Sequence, residues 1–162
     1  HIPAFDFARK HGIPCTAHAG EARGSESVWE TLQHLKPSRI GHGVRSIEDP
    51  RLLDVLREKN IHLEVCPTSN ISTRVFPTLA QHPIHQLYEA GISVGINTDG
   101  RAISFVSLNE EYQKLHETFG WDNTHFLRCN LNALEAAFLE KEEKAGLKNR
   151  ILEGYASSGT GQ

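Results

Sequence analysis

The chain has 162 residues, 38% hydrophobic and 23% charged, which is typical of a soluble globular protein with one domain and no second one. A net charge of -3 and the lack of a basic stripe argue against nucleic acid as a partner. No apolar run approaches the roughly 18 residues of a membrane helix, so we expect no membrane partner and a cytoplasmic location.

Four short apolar runs alternate with amphipathic stretches after a leading helical segment. Each run ends in a polar or glycine-containing segment, and each interval has room for a loop, a helix and a return, as in parallel βα units. The pattern fits a doubly wound sheet or half of a (β/α)8 barrel, and periodicity alone does not separate them. The runs are 14–20, 39–44, 61–67 and 92–99.

Helix signals occupy the segments between the runs. Ser27 and Glu30 have the spacing of a capping box. Asp49 before Pro50 is a candidate N-cap followed by a first-turn proline. A third helical stripe stops at Gly91, a residue type that commonly ends helices.

The C-terminal part of the chain is predicted to be helical. Ser107 and Glu110 indicate another capping box, and Asp122 can cap a longer helix that reaches Phe138. Residues 156–162 are small and polar, so we expect a frayed tail. The absence of methionine, even at the first position, suggests a fragment of a longer protein.

Reactive side chains stand at the end of each predicted strand, where parallel folds gather functional groups. An imidazole and a carboxylate from different strands suit zinc, and a second such pair can transfer protons near neutral pH. The other histidines, such as His82 and His85, are most simply surface or structural residues. The strand-end residues are His18, Gly20, Glu21, His42, residues 66–70, Asn97, Thr98 and Asp99.

Four sequence segments resemble, in order and interval, successive strand-end signatures of the adenosine deaminase family. They are TAHAGE at 16–21, RIGHG at 39–43, LEVCPTSN at 63–70 and NTD at 97–99. One such segment would be weak support, whereas four in the correct order, followed by a helical tail, are specific. The chain is therefore similar to the C-terminal half of a zinc-dependent purine deaminase.

This resemblance implies an α/β fold that is the C-terminal half of a (β/α)8 TIM-type barrel, with about four parallel βα units plus C-terminal helices. Residues 1–162 would form a partial deaminase domain. The implied reaction, in the full-length parent, is hydrolytic deamination of adenosine or 2′-deoxyadenosine to inosine or 2′-deoxyinosine and ammonia. The implied cofactor is one Zn²⁺ per full-length subunit, and the partners are a purine nucleoside and water.

The resemblance also assigns roles by position. His18 and Asp99 would be metal ligands, while Glu21 and His42 would be catalytic. Glu21 would protonate purine N1, which calls for a raised pKa or a proton supplied on binding. His42 would orient the zinc-activated water and either accept its proton or stabilise the hydroxide.

Two departures from the family pattern limit these expectations. The paired histidines H-x-H of the first family strand are absent, and His82 and His85, three residues apart, do not replace them. Because a catalytic zinc site generally has three or more protein ligands, we expect the chain alone to bind zinc weakly or not at all, and to be inactive. An open half-barrel would also expose two sheet edges and an apolar interior.

The second departure concerns substrate binding. Most family members have a second aspartate that contacts purine N7, where this chain has Gly100 followed by Arg101. Arg101 could donate to N7, or it could end in solvent or pair with a carboxylate. The alternatives therefore stay open: a deaminase of adenine, of a methylated adenosine phosphate or of an aminofutalosine-type nucleoside, or a non-catalytic truncated protein or pseudoenzyme.

Overall fold

The computed structural model describes residues 1–158, in which four parallel strands form one sheet in the order β1-β2-β3-β4. Strands laid down in chain order without a reversal are typical of a barrel segment, whereas a doubly wound sheet reverses its order. The prediction of half a barrel is confirmed, although each strand is shorter than its apolar run. The strands are β1 (Thr16–Ala19), β2 (Arg39–His42), β3 (His62–Val65) and β4 (Val94–Ile96).

Helices connect and follow the strands. None in residues 1–158 is both long and apolar enough to span a membrane. The helices are α1 (Ile2–Lys10), α2 (Ser25–His34), α3 (Pro50–Glu58), α4 (Pro67–Ser72), α5 (Ile84–Glu89), α6 (Arg101–Ser104), α7 (Leu108–Phe119), α8 (Asn123–Ala136) and α9 (Lys141–Ser158), with 3-10 turns at Val44–Glu48 and Leu79–Gln81.

Three predicted helix starts are confirmed by their capping hydrogen bonds. The Asp49 side chain accepts from the backbone N–H of Arg51 at 3.0 Å. Ser107 and Glu110 form both halves of a capping box at the start of α7. Asp122 accepts from two backbone amides in the first turn of α8, so local chemistry alone fixes these three boundaries.

The predicted capping box at Ser27 is wrong. Helix α2 begins two residues earlier, at Ser25. The Ser27 hydroxyl accepts from the N–H of Gly20 at 2.9 Å and donates to the carbonyl of Gly24 at 2.8 Å. The Ser27 hydroxyl therefore bonds to Gly20 in the preceding loop and does not form the helix cap that its spacing from Glu30 had predicted.

The end of the chain also differs from expectation. Helix α8 stops at Ala136, so Phe138 follows the helix instead of ending it. Helix α9 continues through Ser158, so the frayed tail predicted from residue 156 is wrong for 156–158. Residues 159–162 lie outside the part of the chain that the structure describes.

The outer face of the sheet holds the hydrophobic core. Alternate strand residues point toward the helices and are buried, and full burial of one such side chain contributes roughly 1.5–3 kcal/mol. From the strands, the core receives Ala19, Ile40, Leu63, Val65, Val94 and Ile96; from the helices and their flanking residues it receives mainly Val28, Leu52, Leu56, Ile84, Leu87, Leu115 and Trp121.

The inward face of the sheet is polar, and the expected apolar interior is wrong. The Thr16 hydroxyl donates to Glu64 Oε2 at 2.9 Å, and Arg39 Nε lies 3.1 Å from Glu64 Oε1. The Arg39 guanidinium also stacks 3.8 Å above the Phe138 ring. Ion pairing and this cation–π contact thus replace hydrophobic packing where the sheet faces the barrel axis.

Candidate active site

A cleft lies at the carboxyl ends of the strands and contains three of the four residues assigned to the reaction. Its lining includes His18, His42 and Asp99, which come from three separate βα units. Glu21 lines an adjoining depression that shares His18 with the cleft. The structure therefore brings all four residues to one edge of the sheet.

His18 projects from β1 into this cleft. Its ring centroid lies 5.2 Å from that of His42 on the neighbouring strand. The residue beside it in the sheet register is Gly41, where a Cβ atom would lie only 3.1 Å from His18 Cδ2. Glycine at this position leaves the imidazole the space that it occupies.

His42 is the last residue of β2, where the chain turns sharply. Its φ is 62° and that of Gly43 is 68°, so two consecutive residues adopt the left-handed region. A Cβ on Gly43 would lie 2.5 Å from Leu63 Cδ2, so the turn also needs glycine for space. Because a non-glycine residue in this region costs about 1–2 kcal/mol, the surrounding structure must hold His42 there.

The His42 ring is buried between a carboxylate and an amide. It is 2% exposed, with Nε2 3.6 Å from Glu21 Oε2 and Nδ1 3.1 Å from Asn70 Nδ2. Burial lowers the pKa of His42 below its usual range, and the nearby Glu21 carboxylate opposes that shift. The neutral imidazole is therefore the favoured form at pH 7.

Asp99 follows β4 and is held as a carboxylate. Its φ of 56° is again left-handed, and the Ser69 hydroxyl donates to Oδ2 at 2.7 Å. That hydrogen bond lowers the pKa of Asp99 more than any other interaction does. Asp99 therefore presents a charged carboxylate at the cleft at neutral pH.

Helix α4, which carries Ser69 and Asn70, is anchored from behind by α7. The backbone N–H of Thr68 donates to the buried carboxylate of Glu111 at 3.1 Å, and Lys114 Nζ donates to the Thr68 hydroxyl at 3.0 Å. Burial raises the pKa of Glu111 above its ordinary value. This contact fixes the segment that supports both His42 and Asp99.

Sequence reasoning missed part of this supporting structure. Ser69 and Asn70 lay inside the polar strand-end segment 66–70, which was the available signal. Nothing in the sequence distinguished Glu111 or His82, since their partners lie 43 and 12 positions away. His82, interpreted as surface or structural, is 2% exposed and bonds to Asn70.

The two residues assigned to substrate binding lie at the edge of the site. Gly100 precedes α6, with an ordinary φ of -66°. Arg101 begins α6 and lines a depression with Phe105 and Glu110, separate from the lining that includes Asp99. Arg101 therefore lines a different depression from the one that His18 and His42 line.

The donor types at the cleft suit zinc. His18 offers an imidazole and Asp99 a charged carboxylate, both ordinary zinc ligands. Burial raises the pKa of the neighbouring Cys66 thiol to about 12, so it is not a thiolate at neutral pH. Within residues 1–158, no three His, Cys, Asp or Glu side chains gather as a metal group.

Comparison with known proteins identifies close relatives. The sequence profile of the family described as "Adenosine deaminase" matches residues 1–154. An adenine deaminase from Chelativorans sp. (strain BNC1) is 45% identical over 148 residues, which cover 91% of this chain and 46% of the relative. An adenosine deaminase from Klebsiella pneumoniae (strain 342) is 41% identical over 150 residues, 93% of this chain and 45% of the relative.

Comparison with solved structures also finds a deaminase. The crystal structure of adenine deaminase from Arthrobacter aurescens matches with a TM-score of 0.90 and 27% identity, covering 94% of this chain and 46% of that chain. The chain thus spans about half the length of the curated relatives and of the solved structure that it matches.

Proposed function

This chain belongs to the adenosine deaminase family, and we propose that it carries one half of the active site of a zinc-dependent purine nucleoside deaminase. The observation that carries the proposal is the meeting of Glu21 and His42, with Oε2 and Nε2 3.6 Å apart, beside His18 at the strand ends. A carboxylate and an imidazole in contact next to metal-ligand types suit hydrolytic chemistry. The reaction proposed is hydrolysis of adenosine or 2′-deoxyadenosine to the inosine product and ammonia.

Zinc fits the residues present and would be held by His18 and Asp99, with further ligands from the other half of the barrel. When bound, zinc supplies a Lewis acid that lets water ionise near neutral pH. An amidohydrolase from Burkholderia ambifaria that shares this fold, with a TM-score of 0.87 at 24% identity, was solved with bound Zn. The hydrogen bond from Ser69 keeps Asp99 charged and oriented for this role.

Glu21 would handle the proton that the purine needs. Its side chain is 27% exposed, so it borders both the cleft and solvent, and a proton can reach it from either side. Glu21 would donate its proton to a ring nitrogen, which makes the adjacent carbon accept attack by water. The resulting carboxylate would then take the proton that the attacking water loses and pass it to the amino group, which leaves as ammonia while the first proton stays on the ring. His42, held neutral by burial, would provide a hydrogen bond to the attacking oxygen.

A 6-aminopurine is the substrate class that the relatives share. The similar proteins include both adenosine and adenine deaminases, and an Arabidopsis N6-mAMP deaminase has the same fold with a TM-score of 0.83 and 27% identity. Arabidopsis ADAL, with a TM-score of 0.86 and 26% identity, was solved with IMP. Gly100 leaves the N7 side of the base without a side-chain partner, and Arg101 would need to rotate toward the cleft to provide one.

A chimera tests the function. This chain would replace the matching 148-residue segment of the Chelativorans adenine deaminase, and turnover would be measured in the presence of zinc. The assay follows ammonia released from adenosine and adenine, and methylamine released from N6-methyl-AMP. We expect turnover of adenosine above that of the other two. A folded, zinc-loaded chimera that releases neither amine from any of the three would contradict the proposal.

A further inference from the structure

Asn70 and His82 form a buried row of polar side chains behind His42, and the row ends at the backbone N–H of Ile84. We propose that Asn70 and His82 are positioning residues that hold the neutral His42 ring in its Nε2-protonated tautomer, so that His42 presents an N–H donor to the cleft. The catalytic meaning of this proposal rests on the proposed function. The tautomer itself is a property of this chain and can be measured without any reaction.

The Ile84 end of the row determines which atom donates and which accepts in each hydrogen bond. The backbone N–H of Ile84 can only donate, and it donates to His82 Nδ1 at 3.1 Å. A neutral imidazole carries one proton, so the proton of His82 is on Nε2. That nitrogen lies 3.1 Å from Asn70 Oδ1, which accepts. Burial lowers the pKa of His82 to about 3, so the ring remains neutral at pH 7.

The Asn70 amide in turn determines the position of the proton on His42. With Asn70 Oδ1 turned toward His82, the amide nitrogen Nδ2 faces His42 Nδ1 at 3.1 Å. Nδ2 has only protons to offer, so His42 Nδ1 accepts, and the ring proton lies on Nε2. That proton is on the side of Glu21, whose Oε2 is 3.6 Å away.

Burial makes the direction difficult to reverse. Asn70 is 0% exposed, and His42 and His82 are each 2% exposed, so these groups depend on one another for partners. Turning the amide over would set donor against donor at His82 and acceptor against acceptor at His42. Each buried polar group left without a partner is destabilising, because it has lost its hydrogen bonds to water and gained none in return. One backbone amide therefore fixes the proton positions on two histidines.

This arrangement separates the two roles open to His42. A ring that already carries its proton on Nε2, and whose Nδ1 is occupied by Asn70, cannot accept a proton from water at the cleft. It can donate a hydrogen bond to a developing hydroxide or alkoxide, which is electrostatic stabilisation. Glu21, on the exposed side of the pair, is then the group that moves protons.

Nitrogen-15 NMR of the 162-residue chain tests the proposal directly. Long-range proton–nitrogen correlation distinguishes protonated from unprotonated ring nitrogens, and a His42→Gln spectrum identifies the His42 signals by their loss. We expect Nε2 of His42 in the protonated class and Nδ1 in the unprotonated class. The opposite pattern, or a pair of averaged signals, would overturn the proposal. The two classes are read in the native chain, and the His42→Gln variant serves only to assign the signals.

Three substitutions then test whether Asn70 and His82 are responsible for this tautomer. Asn70→Asp presents only acceptor oxygens to Nδ1, so the two His42 nitrogens should exchange classes. His82→Gln keeps a donor for Asn70 and should preserve the native pattern, whereas His82→Leu should allow the second tautomer. Unchanged His42 signals in both Asn70→Asp and His82→Leu would overturn the assignment.

An internal control is available in the same spectra. His62 is buried, with Nδ1 2.9 Å from Ser93 Oγ, and does not contact the row. Its signals should be the same in every variant, which separates a tautomer change from a general loss of packing.

The NMR measurement uses no substrate, so its result does not depend on whether the chimera releases ammonia. The tautomer proposal and the proposed function can therefore fail separately.

Discussion

Glu21 Oε2 lies 3.6 Å from His42 Nε2, so a carboxylate and an imidazole from successive βα units face each other at the end of the sheet. Neither residue is in a regular strand conformation at that point, since β2 ends at His42 and Glu21 follows β1. The pairing depends on the left-handed turn at 42–43 and on the segment 66–70 behind it. Substitutions in this turn and in this segment should therefore test the geometry of the site as directly as substitutions of Glu21 and His42.

The left-handed turn can be tested with two glycines that share one backbone conformation. Gly43 and Gly120 both have φ of 68°, but a Cβ on Gly43 would lie 2.5 Å from Leu63, while one on Gly120 would meet nothing within 4 Å. Gly120→Ala should cost about 1–2 kcal/mol of unfolding free energy from conformation alone. Gly43→Ala should cost about 1–3 kcal/mol more from overpacking. Equal losses in denaturant unfolding would show that the contact with Leu63 is not tight.

The buried Glu111 should act as a hydrogen-bond acceptor more than as a charge. Glu111→Leu leaves the N–H of Thr68 without its acceptor and should lower the unfolding free energy by about 1–3 kcal/mol. Glu111→Gln keeps an acceptor and removes a charge whose burial raises the pKa, so its loss at pH 7 should be smaller. Glu117→Leu, exposed on the same helix, is the control. A Glu111→Leu variant as stable as that control would contradict this account.

His82 should make the fold sensitive to acid. Its pKa falls from 6.5 in the unfolded chain to about 3 in the fold, so its stabilising effect is complete above pH 6.5 and is lost as the pH falls toward 3. Between pH 7 and pH 5 the native chain should lose about 2 kcal/mol more unfolding free energy than His82→Gln, which cannot be protonated. His34→Gln, exposed on α2, is the control and should follow the native curve. Parallel curves for native and His82→Gln would exclude this effect.

Ser69 should matter for metal binding through Asp99. In the zinc-binding chimera, Ser69→Ala removes the hydroxyl that donates to Asp99 Oδ2 at 2.7 Å. Loss of such a supporting contact typically weakens metal affinity by about 10–100-fold. Competition with a chelator of known affinity measures the change. Ser72→Ala, exposed on the same helix, should leave zinc affinity as it was, and an equal effect of both would count against a specific role for Ser69.

Local sequence signals predicted what local chemistry decides. The alternation of apolar runs predicted four parallel strands, and the caps at Asp49, Ser107 and Asp122 predicted three helix starts, because those hydrogen bonds form within one helical turn. Ser27 failed because its hydroxyl bonds to Gly20, seven positions back. Spacing cannot reveal such a partner.

The site shows the same difference between local signals, which the sequence carries, and contacts between distant residues. His18, His42 and Asp99 were candidates because strand ends converge in parallel folds, and the resemblance to the adenosine deaminase family assigned their roles. The supports behind them could not, since Asn70 contacts His42 across 28 positions and Thr68 contacts Glu111 across 43. Helix packing creates those contacts, and no periodicity encodes them. The polar inward face of the sheet could have been predicted, because Thr16 and His18 alternate with alanines along β1 and His62 and Glu64 alternate with apolar residues along β3.

Glu21→Gln in the chimera tests the central claim most directly. The amide keeps the size and polarity of the side chain but cannot donate and regain a proton as a carboxyl group does. We predict that kcat for adenosine falls by about 10²–10⁴-fold, with zinc content unchanged, while Glu58→Gln on the exposed end of α3 has no effect. A Glu21→Gln chimera that deaminates adenosine at the parental rate would contradict the assignment of this half-site.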